Sequence, residues 1–279
     1  MRPMHQANTT SSKPRKSVLL GTSALVCLAL SAPVMAEDFV ITSGTTTNDG
    51  EIIDGPADTV TVTGALVTTG ANEGIDTTGG ANTVTVSETG SIKTANNSNA
   101  YGIRNIGNSN KTTVTGSITT AGVGAAGIHN QGASNETALT GSITTANTDG
   151  FGIYNKGASN TATVSGSVTT AGVRGYGIFN EGNTNKTTVS GSITTANTDG
   201  FGIRNYGSNN KTTVSGSITT AGVGAFGIQN EGNTNKTTIA GSITTANTSA
   251  DGIWNNGDDN ETTVAGSIKV TGSNSAGIS

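Results

Sequence analysis

Residues 135–160 read Asn135-Glu-Thr-Ala-Leu-Thr-Gly-Ser-Ile-Thr-Thr-Ala-Asn-Thr-Asp-Gly-Phe-Gly-Ile-Tyr-Asn-Lys-Gly-Ala-Ser-Asn160. The same order of residue types returns every 25 residues. The glycine of Gly-Ser-Ile/Val stands at Gly116, Gly141, Gly166, Gly191, Gly216, Gly241 and Gly266. The isoleucine of Gly-Ile stands at Ile103, Ile128, Ile153, Ile178, Ile203, Ile228, Ile253 and Ile278. No insertion breaks the phase, and a fixed period of this length marks stacked structural units.

Within one unit, Thr-Thr-Val, Ser-Ile-Thr-Thr and Phe-Gly-Ile-Tyr are short strand-like runs, punctuated by Gly and Asn. No window has the 3.6-residue apolar period of a helix. Leu139 is the only leucine of the regular units, so a leucine-rich repeat does not fit. The expected fold is all-β: a parallel β-helix, or solenoid, with one 25-residue unit per rung. Corresponding strands of successive rungs would pair at about 4.8 Å. Gly, Thr, Asn and Ser dominate the composition, a mixture that in a random chain means disorder. The strict phase of the Ile and Val positions argues for order, because stacked rungs share a thin core.

Outward from the array, residues 1–36 read as a secretory signal peptide. Lys13, Arg15 and Lys16 form a basic start, Val18 to Leu30 a short apolar core, and Val34-Met-Ala36 a cleavage site. Cys27, the only cysteine, lies in this leader, so no disulfide is expected in the mature chain. The leader takes four of the chain's 14 basic residues and none of its 18 acidic ones. Ten basic against 18 acidic remain, a mature net charge of −8. That balance disfavours nucleic acid as a partner. Residues 37–100 hold irregular rungs, expected to cap the solenoid; Gly64, Gly90 and Gly116 are already 26 apart. Residues 101–279 are the regular repeats, and the chain stops partway through a rung. We expect it to be truncated relative to a longer parent.

Two asparagine columns run through the array. The first is Asn105, Asn130, Asn155, Asn180, Asn205, Asn230 and Asn255; the second runs from Asn110 to Asn260 at the same spacing. Asparagine accepts left-handed turn conformations, and amides stacked rung on rung can bond each other, so both columns read as structural ladders. Asn110-Lys-Thr112 and its echoes also match the glycosylation acceptor pattern, the weaker reading. No catalytic, cofactor-binding or metal-binding residues are expected. His129 is the one histidine of the mature chain, the carboxylates are sparse, and no calcium nonapeptide occurs.

Two surfaces could act. In Ser-Ile-Thr, strand alternation turns Ser117 and Thr119 outward together, and this pair repeats through Ser242 and Thr244. Such a Ser/Thr face is similar to that of ice-binding solenoids. The residue after each Gly-Ile should also point outward. That column reads Arg104, His129, Tyr154, Phe179, Arg204, Gln229 and Trp254. Arginine and aromatic residues favour contact surfaces. The glycine beside each leaves one question open, since a bend there could disturb the alternation.

The unit Thr-Val-x-Gly-Ser-Ile-Thr-Thr followed by aromatic-Gly-Ile-x-Asn resembles the passenger domains of bacterial autotransporters, the type V secretion proteins. The opening Glu37-Asp-Phe-Val-Ile-Thr-Ser-Gly-Thr-Thr46 behind a signal peptide is similar too. The resemblance covers residues 38–279 and implies a right-handed β-helix, exported to the cell surface or outer membrane by a C-terminal barrel. The barrel is not in this chain and is expected in the parent. The resemblance also implies a non-enzymatic adhesin-like stalk meeting glycans or proteins of host or bacterial surfaces. An ice-binding solenoid and a β-helical polysaccharide enzyme are the alternatives.

Overall fold

A computed structural model describes residues 16–18, 38–42, 51–53, 55–70 and 73–279. It is a parallel β-solenoid with three sheets running its length. The regular rungs contribute one strand to each sheet, typified by Lys111–Val114 in the first, Ser117–Thr120 in the second and Ala126–Gln131 in the third. Among the described residues the second and third sheets each hold nine strands, and no helix is long and apolar enough to cross a membrane.

Every regular pairing is in register at 25 residues. Lys111 pairs with Glu136, Ile118 with Ile143 and Ile128 with Ile153. The earlier rungs follow the same three sheets at other offsets. The second sheet advances by 26, Ala65 to Ser91 to Ser117. The third advances by 24 and then 28, from Glu51 to Ile75 to Ile103. The first sheet carries two more strands at its start, Asp38–Ile41 and Lys16–Val18. Apart from those three residues, the expected signal peptide lies outside the described residues.

Alternation along each strand puts three apolar and three polar side chains inside a rung. Val114, Ile118 and Ile128 are fully buried, and so are Thr112, Thr120 and Asn130. The isoleucines Ile103, Ile128, Ile153, Ile178, Ile203, Ile228 and Ile253 form one continuous apolar stack. Burying a side chain of this size stabilises by about 1.5–3 kcal/mol. So thin a core is sufficient because the asparagine and threonine columns inside are largely bonded to one another and to the main chain.

The amide Nδ2 of Asn105 donates to Asn130 Oδ1 at 2.7 Å, and Asn130 to Asn155 at 2.8 Å. The relay continues through Asn180, Asn205 and Asn230 to Asn255. In the second column each side-chain oxygen accepts the backbone N–H one rung back, as Asn160 does from Asn135 and Asn185 from Asn160, both at 2.8 Å. Each such bond satisfies a buried main-chain donor that would otherwise carry a desolvation cost. Asn110, Asn135, Asn185, Asn210 and Asn235 are buried, so their acceptor-like sequences present no accessible amide for glycosylation. Buried Thr170 and Thr220 hydroxyls similarly donate to the carbonyls of Gly175 and Ala225.

The loop between second and third sheets turns at one left-handed position, occupied in order by Gly124, Asp149, Arg174, Asp199, Gly224 and Ser249. The loop reads Ala-Asn-Thr-Asp-Gly at 146–150 and 196–200 and Ala-Gly-Val at 121–123, 171–173 and 221–223, a two-rung alternation that fills one turn in two ways. Its visible consequence is exposed Val123, Val173 and Val223 in alternate rungs.

Candidate functional site

The outer face of the third sheet departs from plain alternation at one residue per rung. A Cβ at Gly102 would lie 2.4 Å from Ile118 Cγ2 and 2.5 Å from the Gly127 carbonyl oxygen. The inward slot there has room for hydrogen alone. Gly102 and Ile103 are both buried, while Tyr101 and Arg104 are half-buried. The residues flanking the Gly-Ile pair thus emerge on the same outer face, three positions apart. The glycine does not turn the variable column inward; it brings a second column up beside it.

That second column is Tyr101, Phe151, Tyr176, Phe201 and Phe226, with Ala126 and Asp251 in the remaining rungs. Together with Tyr154, Phe179, Tyr206 and Trp254 it places nine of the chain's ten aromatic side chains on one face; only Phe39 lies elsewhere. The rings stack along the axis. His129 lies 4.7 Å from Tyr154 at 4°, and Tyr154 lies 5.0 Å from Phe179 at 8°. Tyr176 stacks on Phe201 at 5.0 Å and 4°, Phe201 on Phe226 at 5.2 Å, and Phe226 on Trp254 at 5.7 Å. Phe151 and Tyr176 tie the two columns together by tilted and edge contacts to Tyr154 and Phe179. Stacks of this kind contribute about 0.5–1.5 kcal/mol per pair beyond burial.

Arg204 is held inside this surface. Its guanidinium lies 5.4–6.0 Å from the ring centres of Tyr176, Phe179, Phe201 and Tyr206. It donates to the Tyr176 hydroxyl at 3.2 Å and to the Glu231 carboxylate at 2.8 Å. Arg104 pairs with Glu73 at 3.0 Å and Asp76 at 3.5 Å. Tyr154 donates to the Glu181 carboxylate. Its phenol is pushed well above the ordinary range, first by burial and then by that hydrogen bond and charge. His129 is only 5% exposed, and neither ring nitrogen has a partner. Burial, aided by Arg104 and Lys156, lowers its pKa to about 4, so it is neutral at pH 7.

The column read from the sequence is thus brought together with its neighbour, and it is not a free row. His129 and Gln229 are 5% and 7% exposed, covered by adjacent rungs, and the others are half-buried. Tyr206 is the most exposed aromatic, at 49%. Because the rings lie face to face along the axis, they offer edges and hydroxyls to solvent. A sugar ring that must lie flat on an open aromatic face finds few such faces here, whereas a protein surface can meet ring edges and tyrosine hydroxyls. The Tyr101-type column was missed because strict alternation assigns it the same inward side as Asn105; the spacing of three across Gly-Ile was its signal.

Among the described residues no group of three or more His, Cys, Asp or Glu side chains could hold a metal ion. No family model, curated protein or solved structure matches this chain.

Proposed function

We propose that this chain is a non-enzymatic, surface-displayed β-helical passenger, a stalk that carries an adhesive face. The observation that carries the reading is the gathering of nine of the chain's ten aromatic side chains, with Arg204, on one outer face of a rod rich in Thr, Ser, Asn and Gly. Tyrosine, tryptophan and arginine concentrate binding energy at contact surfaces, and stacking fixes them before a partner arrives, which lowers the ordering cost of binding. The ring edges favour a protein partner on a host or bacterial surface. Export by the leader, cleavage after Ala36 and delivery by a barrel encoded in a longer parent complete the proposal. Cleavage there would leave Asp38–Ile41 as the first strand of the first sheet.

Beads coated with the protein are applied to host cells and to bacterial cells, beside a Tyr206→Ser/Trp254→Ser variant. Loss of attachment in a variant with unchanged melting supports the face; equal attachment rejects it. Sequencing the gene downstream of Ser279 tests the passenger assignment, and a mature start at Glu37 tests the leader. Ice binding is the alternative that the exposed hydroxyls of Thr144, Thr169, Thr194 and Thr219 on the second sheet raise, and the half-buried, methyl-free serines beside them weigh against it.

A further inference from the structure

The first sheet carries a feature the aromatic face does not explain. Lys186, Lys211 and Lys236 occupy one exposed column on three successive rungs, Lys186 paired in register with Lys211 and Lys211 with Lys236. Adjacent strands put their backbones about 4.8 Å apart. Like charges directly opposed across strands destabilise a sheet. Lys236 is relieved by Glu261, whose carboxylate lies 2.9 Å from its Nζ. Among the described residues, Lys186 and Lys211 have no ion pair. Elsewhere the same column mixes its charges, as Lys111 beside Glu136 does. Two residues further along each strand, on the same outward side, stand Thr188, Thr213 and Thr238, half-buried and presenting hydroxyls. The result is a straight strip, three rungs long, with one ammonium and one hydroxyl per rung, the ammoniums of Lys186 and Lys211 unpaired among the described residues and that of Lys236 shared with Glu261, on a chain of net charge −4.

We propose that this strip binds a linear acidic glycan lying along the solenoid axis, one anionic sugar to each rung. A sugar in an extended chain is about as long as one rung, so a polymer with one carboxylate per sugar meets one lysine per step, and its hydroxyls meet the threonines. Nucleic acid fits less well. In a duplex the phosphates of one strand rise by about 3.4 Å per step, out of step with the rungs. Single-strand binding also draws on aromatic stacking, and the aromatics of this array are on the third sheet.

The test is titration of the full chain with three probes at low salt: polygalacturonate, its neutral methyl ester, and single-stranded poly-dT. The comparison proteins are a Lys186→Gln/Lys211→Gln/Lys236→Gln variant and Lys156→Gln, which changes a lysine of the third sheet. The expected result is binding of polygalacturonate that falls at least tenfold in the triple variant and not in Lys156→Gln, with the ester and poly-dT bound at least tenfold more weakly by the unaltered chain. Equal binding by the triple variant, equal binding of the ester, or tighter binding of poly-dT overturns the proposal. Because Lys156→Gln and the Tyr206/Trp254 variant report on the other sheet, failure here is distinguishable from failure of the adhesive face.

Discussion

Asn155 and Ala162 meet inside the solenoid without a hydrogen bond. In six other rungs the ladder asparagine also gives its amide to a threonine seven residues on: Asn105 to Thr112, Asn130 to Thr137, Asn180 to Thr187, Asn205 to Thr212, Asn230 to Thr237 and Asn255 to Thr262. Ala162 occupies the equivalent place beside Asn155, fully buried and pairing in register with Thr137 and Thr187.

Ala162→Thr should therefore restore a bond for which the partner is already in position. A net intramolecular hydrogen bond contributes about 1 kcal/mol. Thr137 and Thr187 fit the same slot one rung to either side, so overpacking is not expected. For a chain of this size the gain corresponds to a rise of about 2–4 °C in Tm. Calorimetry checks it; an unchanged or lowered Tm shows that the slot at this rung has closed around alanine.

Ile178 tests the apolar stack. It is fully buried between Ile153 and Ile203. Ile178→Ala should cost about 2–5 kcal/mol, cavity included. Ile178→Asp should cost more, since no positive group lines the stack and an unpaired charge would be buried. Urea denaturation ranks the three proteins. If the Asp variant unfolds at the same denaturant concentration as the parent, the stack is not what holds the rungs together.

The architecture was legible because a parallel solenoid writes its register directly into the sequence: Ile103, Ile128 and Ile153 are 25 apart because they lie on top of one another. The early rungs were legible in part. Gly64, Gly90 and Gly116 report the second sheet's advance of 26 and are silent on the 24 and 28 of the third sheet, where the extra residues sit in the connecting turns. The aromatic face was half legible. The column from Arg104 to Trp254 follows from alternation, but its packing against Tyr101, Phe151 and Tyr176 depends on the space in front of Gly102, set by Ile118 from another sheet. The lysine strip needs the register of Lys186, Lys211 and Lys236 together with the absence of partners, which no spacing rule supplies.

His129 predicts a pH dependence. It is packed between Tyr101 and Tyr154, with Arg104 and Lys156 as the charged groups near it. Burial first, and those two cations second, lower its pKa from 6.5 to about 4. Between these values the unfolded chain binds a proton that the folded chain refuses. The stability from this residue is therefore complete above the unfolded value, and it is lost as pH falls from about 6.5 to about 4, an interval worth about 3 kcal/mol. His129→Phe keeps a ring in the stack and removes the proton. Urea midpoints at pH 7, 5.5 and 4 should fall less steeply in the variant. Parallel curves would show that His129 is protonated in the folded chain as readily as in the unfolded one.

The Ser/Thr face of the second sheet should not bind ice. Ice recognition by a flat sheet needs paired columns in which a hydroxyl and a methyl recur at each step, so that ordered water is held on both. Here the Thr column, Thr144, Thr169, Thr194 and Thr219, is exposed, whereas its companions Ser142, Ser167, Ser192 and Ser217 are half-buried beside the Gly-Ser corner and carry no methyl. The face is also interrupted at both ends of the column, by Lys93 and by Lys269, each in register with a threonine. Ammonium groups hold water strongly in an arrangement of their own. A solution of the full chain should therefore show no gap between melting and freezing points in a nanolitre osmometer. A gap that disappears in a Thr169→Lys/Thr194→Lys variant would replace the adhesive reading with ice binding, and it would move the functional surface from the third sheet to the second.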